Sequence, residues 1–72
     1  MSDVLIRYCP VRSGYDRRAA SLAAEINEQT EHAATIESGE SGQFDVIVGG
    51  RTVFSKRQAG RFPEHDEVLA LL

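Results

Sequence analysis

The apolar residues of this chain fall into runs of different period, and each change of period marks a predicted element. Residues 4–8 are nearly continuously apolar, with Arg7 as the exception. Such a run is typical of a strand that is covered on both faces, as in the centre of an α/β sheet. Pro10 has no N–H group to donate to a neighbouring strand. The pattern therefore predicts a central strand that ends before Pro10.

A helical period follows from about residue 13 to residue 31. Ser13 and Asp16 are candidate N-caps, because their side-chain oxygens can accept hydrogen bonds from the first free N–H groups of a helix. Residues 33–37 then predict a short strand around Ile36. The helix should bury one stripe of side chains at spacings of three and four residues. That stripe consists of Tyr15, Ala19, Leu22, Ala23, Ile26 and Thr30.

Two β-rich runs joined by a pair of glycines predict a hairpin. The runs are residues 44–48 and 51–55, and Gly49-Gly50 lies between them. Two glycines suit a type I′ or II′ turn, because these turns need positive φ angles. Residues 56–62 follow as a basic loop that contains a glycine.

The end of the chain predicts a short second helix that begins at Pro63. Proline suits the first helical position, and the acidic side chains after it complement the positive end of the helix dipole. Those acidic residues are Glu64, Asp66 and Glu67, and the apolar positions that pack the helix are Val68, Leu69, Leu71 and Leu72.

The predicted element order is β-α-β-β-β-α, within a single domain over residues 1–72. The first crossover makes strands one and two parallel, and it should be right-handed. The hairpin then adds strands three and four in antiparallel orientation. The fold class is therefore α/β (an α+β sandwich) with a four-stranded mixed sheet in the order 2-1-3-4, a minimal thioredoxin-like arrangement. Cys9 would lie at the carboxyl end of a central strand, where open α/β sheets bind ligands.

Composition narrows the function classes. The 72 residues carry a net charge of −3 with a pI of about 5.2, which argues against a dedicated nucleic-acid binder. No apolar run approaches the roughly 20 residues of a membrane span, and no signal peptide is evident. A cytoplasmic location is therefore expected. His32 and His65 stand apart from Cys9 in the sequence, so neither a metal site nor a cofactor is expected.

Cys9 is the residue most suited to chemistry. A thiol that faces the start of a helix, next to the cation of Arg12, has its charged form stabilised and its pKa lowered. The resulting thiolate can attack a disulfide, with Ser13 or backbone N–H groups as hydrogen-bond donors. The alternative is a retained cysteine without a redox role.

Basic residues near both loops form a candidate anion site. Arg57 and Arg61, together with Phe62, would bind a carboxylate-bearing small thiol or an acidic loop of a partner. Solvated surface arginines are the alternative for the cations, and a structural role at the helix start is the alternative for Phe62-Pro63. The other cations that would join the site are Arg12, Arg17, Arg18 and Lys56.

Several fragments, in order and over nearly the whole chain, resemble the selenoprotein W, T and H family and its bacterial and archaeal Rdx-type members. The first fragment is Tyr8-Cys9-Pro10, after strand one. Three more lie in the first predicted helix, namely Arg18-Ala19-Ala20, Leu22-Ala23 and Glu25-Ile26. The later ones are the stretches GQFDV at 42–46, GRTVFSK at 50–56 and GRFPE at 60–64.

The resemblance implies a thioredoxin-like fold and a redox role through a Cys-x-x-Cys or Cys-x-x-selenocysteine motif. Only Cys9 carries over, because the second position falls on Arg12, or on Ser13 if the loop holds an extra residue. A dithiol cycle within the chain is therefore excluded. Thioredoxins proper also carry a cis-proline opposite the site, where this chain has Gly42-Gln43.

Two functions remain open from the sequence. The first is a redox module that acts through the single thiol of Cys9, by mixed-disulfide exchange with a thiol-bearing protein or a low-molecular-weight thiol. The second is a non-catalytic module that keeps the fold for a protein partner. Neither nucleic acid nor a membrane is an expected partner, and the expected state is a monomer or weak dimer.

Overall fold

The structure is a computed structural model that describes residues 3–72. Its four strands and first helix follow the predicted order, and the helix predicted near the end of the chain is preceded by a short additional helix. The elements are β1 (Asp3–Tyr8), α1 (Tyr15–Gln29), β2 (Ala33–Ser38), β3 (Phe44–Val48), β4 (Arg51–Ser55), α2 (Lys56–Ala59) and α3 (His65–Ala70).

The strands form one mixed sheet in the order β2-β1-β3-β4, which confirms the predicted topology. β1 is parallel to β2, so that Ile6 pairs with Ile36, and antiparallel to β3, so that Ile6 also pairs with Val46. β1 is thus a central strand, and Cys9 directly follows its carboxyl end.

The hairpin between β3 and β4 is confirmed, and its turn is of the type in which both central residues have positive φ. Gly49 and Gly50 have φ angles of 57° and 83°. Among the two types predicted, this is the I′ geometry. Val46 pairs with Phe54 and Ile47 with Thr52, so Val53 between them is the extra residue of a β-bulge.

Side-chain burial alternates along β1 and β3. Val4 and Ile6 are at most 1% exposed, whereas Leu5 and Arg7 are half-buried. The prediction that β1 is covered on both faces is therefore wrong. The helices cover one face, and the charged Arg7 belongs to the face that stays partly open to solvent. The buried stripe of α1 agrees with the sequence pattern at Tyr15, Ala19, Leu22, Ala23 and Ile26, whereas Thr30 is the C-cap.

Helix α1 begins later and is capped differently from the prediction. Its N-cap is Gly14, which has a φ of 84° and contributes no side-chain bond. Ser13 lies before the helix, and the Asp16 carboxylate accepts a hydrogen bond from the Arg17 N–H at 2.8 Å. The prediction of a Ser13 or Asp16 N-cap is therefore wrong, because the chain enters the helix through a left-handed residue that favours glycine.

The segment predicted as a basic loop contains helix α2. This helix ends at Gly60, which adopts a left-handed conformation and donates its N–H to the Lys56 carbonyl. Pro63 precedes the N-cap Glu64 of α3, so the prediction that it occupies the first helical position is wrong. Of the apolar positions expected to pack α3, Val68 is fully buried and Leu71 is 49% exposed.

The start of α3 is held by a bidentate ion pair between Arg61 and Glu67. The two guanidinium nitrogens lie 2.9 and 2.7 Å from the two carboxylate oxygens. Glu67 also accepts a hydrogen bond from the Glu64 N–H at 3.2 Å, which closes a capping box. The hydrogen bond from Arg61, then that from Glu64, lowers the pKa of Glu67 to about 2.

We expect this pair to make stability depend on acid. Because the folded pKa of Glu67 lies below the unfolded value of about 4.3, its contribution is present above that value and is lost as the pH falls towards 2. In urea titrations between pH 5 and 3, the midpoint of Glu67→Gln should fall less than that of the parent chain. Glu28→Gln, at an exposed position of α1, serves as the control and should follow the parent. Equal acid dependence in all three chains would contradict the assignment.

Candidate functional site

Cys9 directly follows β1, and its backbone continues the sheet by one hydrogen bond. Its N–H donates to the Gln43 carbonyl at 2.8 Å, which fixes the cysteine beside the loop between β2 and β3. The side chain is 0% exposed and belongs to the core cluster. The Cys9 sulfur is therefore closed to solvent in this conformation, although the thiol exchange predicted from the sequence needs it to be reached.

The Cys9 sulfur nevertheless lies in a polar setting that favours the thiolate. Burial raises the pKa of the Cys9 thiol, but N–H groups of Gly42, Val11 and Arg12, in that order, lower it, as does the Arg12 charge. The net result is a pKa below the ordinary value. A lowered pKa of Cys9 agrees with the prediction, but the N–H groups that lower it are not the predicted ones. The N–H groups come from two loops, not from the first turn of α1, which begins only at Tyr15.

The loop that follows Cys9 is exposed to solvent. Pro10, Val11, Arg12 and Ser13 are all exposed, and Val11 is 78% exposed. The same loop lines an open cleft of about 460 Å³ together with Arg17 at the start of α1. The loop is thus open to contact by a partner, although the cysteine directly before it is buried.

Arg12 and Ser13, the two candidate second positions, lie side by side in this loop but differ in their relation to the sulfur. The Arg12 N–H and charge are among the groups that lower the pKa of the Cys9 thiol, and Ser13 is not. The guanidinium carbon of Arg12 is 3.6 Å from the place that a Cβ atom would take on Gly42. Arg12 thus contributes both a donor and a nearby positive charge. Gly42, in the loop between β2 and β3, also lowers the pKa of the Cys9 thiol through its N–H.

The predicted anion-binding residues are engaged with other parts of the protein. Arg57 donates to the Ser41 carbonyl at 3.0 Å and lies 3.9 Å from the Glu40 carboxylate. It therefore holds the loop that presents Gly42 to Cys9. The charge of Arg61 is balanced by Glu67. An anion site formed by these two arginines stays a prediction.

Phe62 belongs to an aromatic cluster that was not predicted from the sequence. Its ring lies 4.8 Å from that of Tyr15 and 5.3 Å from that of Phe44, both edge to face. Arg18 lies over the Phe62 ring at 4.2 Å, and Lys56 lies 5.2 Å from it. The sequence contained one indication of this cluster: Tyr15 and Phe44 each begin an element at the end of the sheet that carries Cys9. This cluster joins the beginning of α1, the beginning of β3 and the segment before α3.

The described part of the chain has neither a membrane-spanning helix nor a cluster of metal ligands. Over residues 3–72, no helix combines the length and the apolar character that crossing a membrane needs. Within the same range, no three side chains of the histidine, cysteine, aspartate or glutamate type are grouped as a metal ion would require.

A mixed β2-β1-β3-β4 sheet with helices on one face, and a cysteine at the carboxyl end of β1, define a thioredoxin-like protein. Comparisons with known proteins narrow this class. The model of the Rdx family matches residues 3–72, and the chain belongs to that family. The Rdx and selenoprotein W-related proteins are generally associated with redox functions. The family resemblance inferred from the sequence fragments is thus confirmed.

Two crystal structures show the same fold. One is a selenoprotein W-related protein from Vibrio cholerae, with a TM-score of 0.77 and 25% identity, over 93% of this chain and 86% of that one. The other is a protein from Bordetella parapertussis, with a TM-score of 0.73 and 23% identity, over 99% of this chain and 98% of that one. A search of curated proteins gave no match.

Proposed function

We propose that this protein is a redox module that acts through the single thiol of Cys9, by mixed-disulfide exchange with a partner protein or a low-molecular-weight thiol. The observation that carries the proposal is the set of backbone N–H groups and the nearby Arg12 charge, which lower the pKa of Cys9 despite its burial. A thiolate is the attacking form of cysteine in such exchange.

The chemical step is a displacement at sulfur. The Cys9 thiolate attacks one sulfur of a partner disulfide, and a Cys9–partner disulfide forms as the original bond breaks. The departing sulfur leaves as a thiolate and takes a proton from water. A second thiol, from the partner or from a small molecule, then attacks the mixed disulfide, so that Cys9 leaves as the thiolate and a new disulfide forms elsewhere.

The loop of residues 10–13 is the segment through which a partner would approach Cys9. It follows Cys9 directly in the chain, and its exposed Val11 offers an apolar contact to an incoming protein. Arg12 and Ser13 would assist as charge and hydrogen-bond donor once the sulfur is reached. Arg57 has a positioning role, because it holds the loop that carries Gly42.

A second function is favoured by one specific observation, the complete burial of the Cys9 side chain. A protein that keeps the fold as a non-catalytic interaction module has no need of an accessible sulfur. In that case Cys9 is a small core residue, and the exposed loop serves only as a binding surface.

We expect alkylation of Cys9 by iodoacetamide to follow a titration curve with a midpoint below the ordinary thiol pKa of about 8.5. The rate would be measured from pH 5 to 10 by mass spectrometry of the intact chain, with Cys9→Ser as the blank. Arg12→Gln should move the midpoint upward, whereas Arg51→Gln, far along the sheet at the β3–β4 turn, should leave it in place. A midpoint at or above about 8.5 in the parent chain would reject the thiolate proposal in favour of the interaction module.

A further inference from the structure

The loop between β2 and β3 meets Cys9 through a tight turn at residues 40–43. The Gln43 N–H donates to the Glu40 carbonyl at 3.1 Å, and the Gln43 carbonyl accepts from the Cys9 N–H at 2.8 Å. Gly42, the third residue of the turn, has a φ of 75°, and in the described part of the chain only glycines have a positive φ. A turn with a negative φ at its second residue and a positive φ at its third is of type II.

The turn type determines which way the central peptide group faces. This group consists of the Ser41 carbonyl and the Gly42 N–H. Turns of type I and type II differ by about 150° in ψ before this group and by about 170° in φ after it, so the whole group turns over between them. A type I turn here would therefore exchange the directions of the carbonyl and the N–H and leave the two ends of the turn in place.

Both ends of this peptide group are engaged. The Ser41 carbonyl accepts a hydrogen bond from the Arg57 Nη2 atom at 3.0 Å. Among the backbone N–H groups that lower the pKa of the Cys9 thiol, that of Gly42 has the largest effect. The peptide group thus connects the cation of Arg57 with the thiol, and its orientation matters to both.

The ends of the turn are fixed without Arg57. The Gln43 side chain accepts a hydrogen bond from the Glu40 N–H at 2.7 Å and donates one to the Asp45 carboxylate at 2.8 Å. A Cβ atom on Gly39 would overlap the Gln43 side chain, so this anchored position needs glycine there. Because the ends are anchored, the central peptide group is the part of the turn that can change orientation by itself.

We propose that the Ser41–Gly42 peptide group is a positioning element for Cys9, held in its orientation by Arg57 at the carbonyl and by the left-handed conformation of Gly42. In this orientation the N–H favours the thiolate, whereas a turned-over group would withdraw that donor. Arg57 and Gly42 are therefore positioning residues for the single-thiol exchange, and neither is a reacting group. The inference rests on the proposed function for the reaction, and adds the peptide group that sets the reactivity of the thiol.

Gly42→Ala tests the proposal without a change of charge. An L residue at this φ disfavours the type II turn, whereas its Cβ atom would lie 3.6 Å from the Arg12 guanidinium carbon, an ordinary contact. We expect the midpoint of iodoacetamide alkylation of Cys9 to rise by about one pH unit, as the loss of one hydrogen bond to a charged group implies. Gly42→Asn should keep the parent midpoint, because asparagine tolerates this position of a type II turn.

Gly60→Ala is the matched control for backbone strain. Gly60 also has a φ of 75°, nothing lies within 4 Å of a Cβ atom built on it, and it ends α2. This variant should lose stability in urea and leave the alkylation midpoint of Cys9 unchanged.

Arg57→Met tests the carbonyl end of the peptide group. In about 0.5 M potassium chloride, which screens exposed charges, the midpoint should rise by about half a pH unit. Arg51→Met, at an exposed position, removes the same charge and should leave the midpoint in place.

Three results would overturn the proposal. They are an unchanged midpoint in Gly42→Ala or Arg57→Met, an equal rise in Gly60→Ala, and a rise in Gly42→Asn as large as that in Gly42→Ala. Each compares a variant with the parent chain. The proposed function depends instead on the parent's own midpoint, so failure of one is distinguishable from failure of the other.

Discussion

Replacement of Phe44 by alanine is expected to cost about 3–5 kcal/mol of folding free energy. Phe44 is 1% exposed, and its ring contacts both Tyr15 and Phe62 edge to face. The substitution leaves a cavity where α1, β3 and the segment before α3 meet. A domain of this length has in total about 4–11 kcal/mol of stability, so the variant should lie at or near the edge of unfolding.

Urea titration monitored by far-ultraviolet circular dichroism measures this loss. Ile36→Ala is the matched control, because Ile36 is also a large apolar side chain but is 40% exposed on the edge strand β2. Its loss should be about 1 kcal/mol or less. A loss in Phe44→Ala no greater than that in Ile36→Ala would show that the aromatic cluster does not hold the core together.

The sheet was predictable because its signals are local and strong. The glycine pair Gly49-Gly50 between two β-rich runs leaves little choice of turn, and the crossover through a helix makes the first two strands parallel. The stripe of α1 was equally clear, because the period of 3.6 persists over four turns. In both cases the pattern depends on residues close in sequence.

Two features of the fold were not predicted, because neither produces a distinctive sequence pattern. Helix α2 has four residues and no buried side chain, so hydrophobic periodicity cannot reveal it. The open face of the sheet was missed for a related reason. Leu5 is apolar but half-buried, and a short strand shows the same apolar run whether one face or both are covered.

The candidate site was predictable in its placement but not in its packing. A cysteine after a buried strand is at the end of the sheet in any such fold, and the Arg12 charge is adjacent in sequence. The donors that hold the sulfur include Gly42, which comes from a different loop, so the sequence could not identify the source of the pKa shift. Cys9 is buried as a member of the core cluster, whose other residues come from distant parts of the chain, and no local pattern specifies that.

Arg12→Cys is expected to convert the single-thiol chemistry of Cys9 into a dithiol cycle, because it supplies the second thiol of the family motif. Residues 9 and 12 have the spacing of the Cys-x-x-Cys motif, and Arg12 contributes to the low pKa of the Cys9 thiol through its N–H and its charge. The introduced thiolate should attack the sulfur of Cys9 in a mixed disulfide and close an intrachain bond. The effective concentration of a tethered thiol is at least in the millimolar range, so release should be about a hundredfold faster than with about 10 µM free thiol.

An aromatic disulfide reagent that releases a coloured thiolate measures this change. Cys9 in the parent chain should release one coloured thiolate and keep the other as a stable adduct. Arg12→Cys should release both without added thiol, and its mass should fall by a pair of hydrogens. Arg12→Ser removes the guanidinium without adding a thiol and should retain the adduct. Ser13→Cys tests the alternative register and should resolve more slowly, since position 12 and not position 13 has the spacing of the Cys-x-x-Cys motif. A persistent adduct in Arg12→Cys would show that this loop cannot bring a second thiol to Cys9.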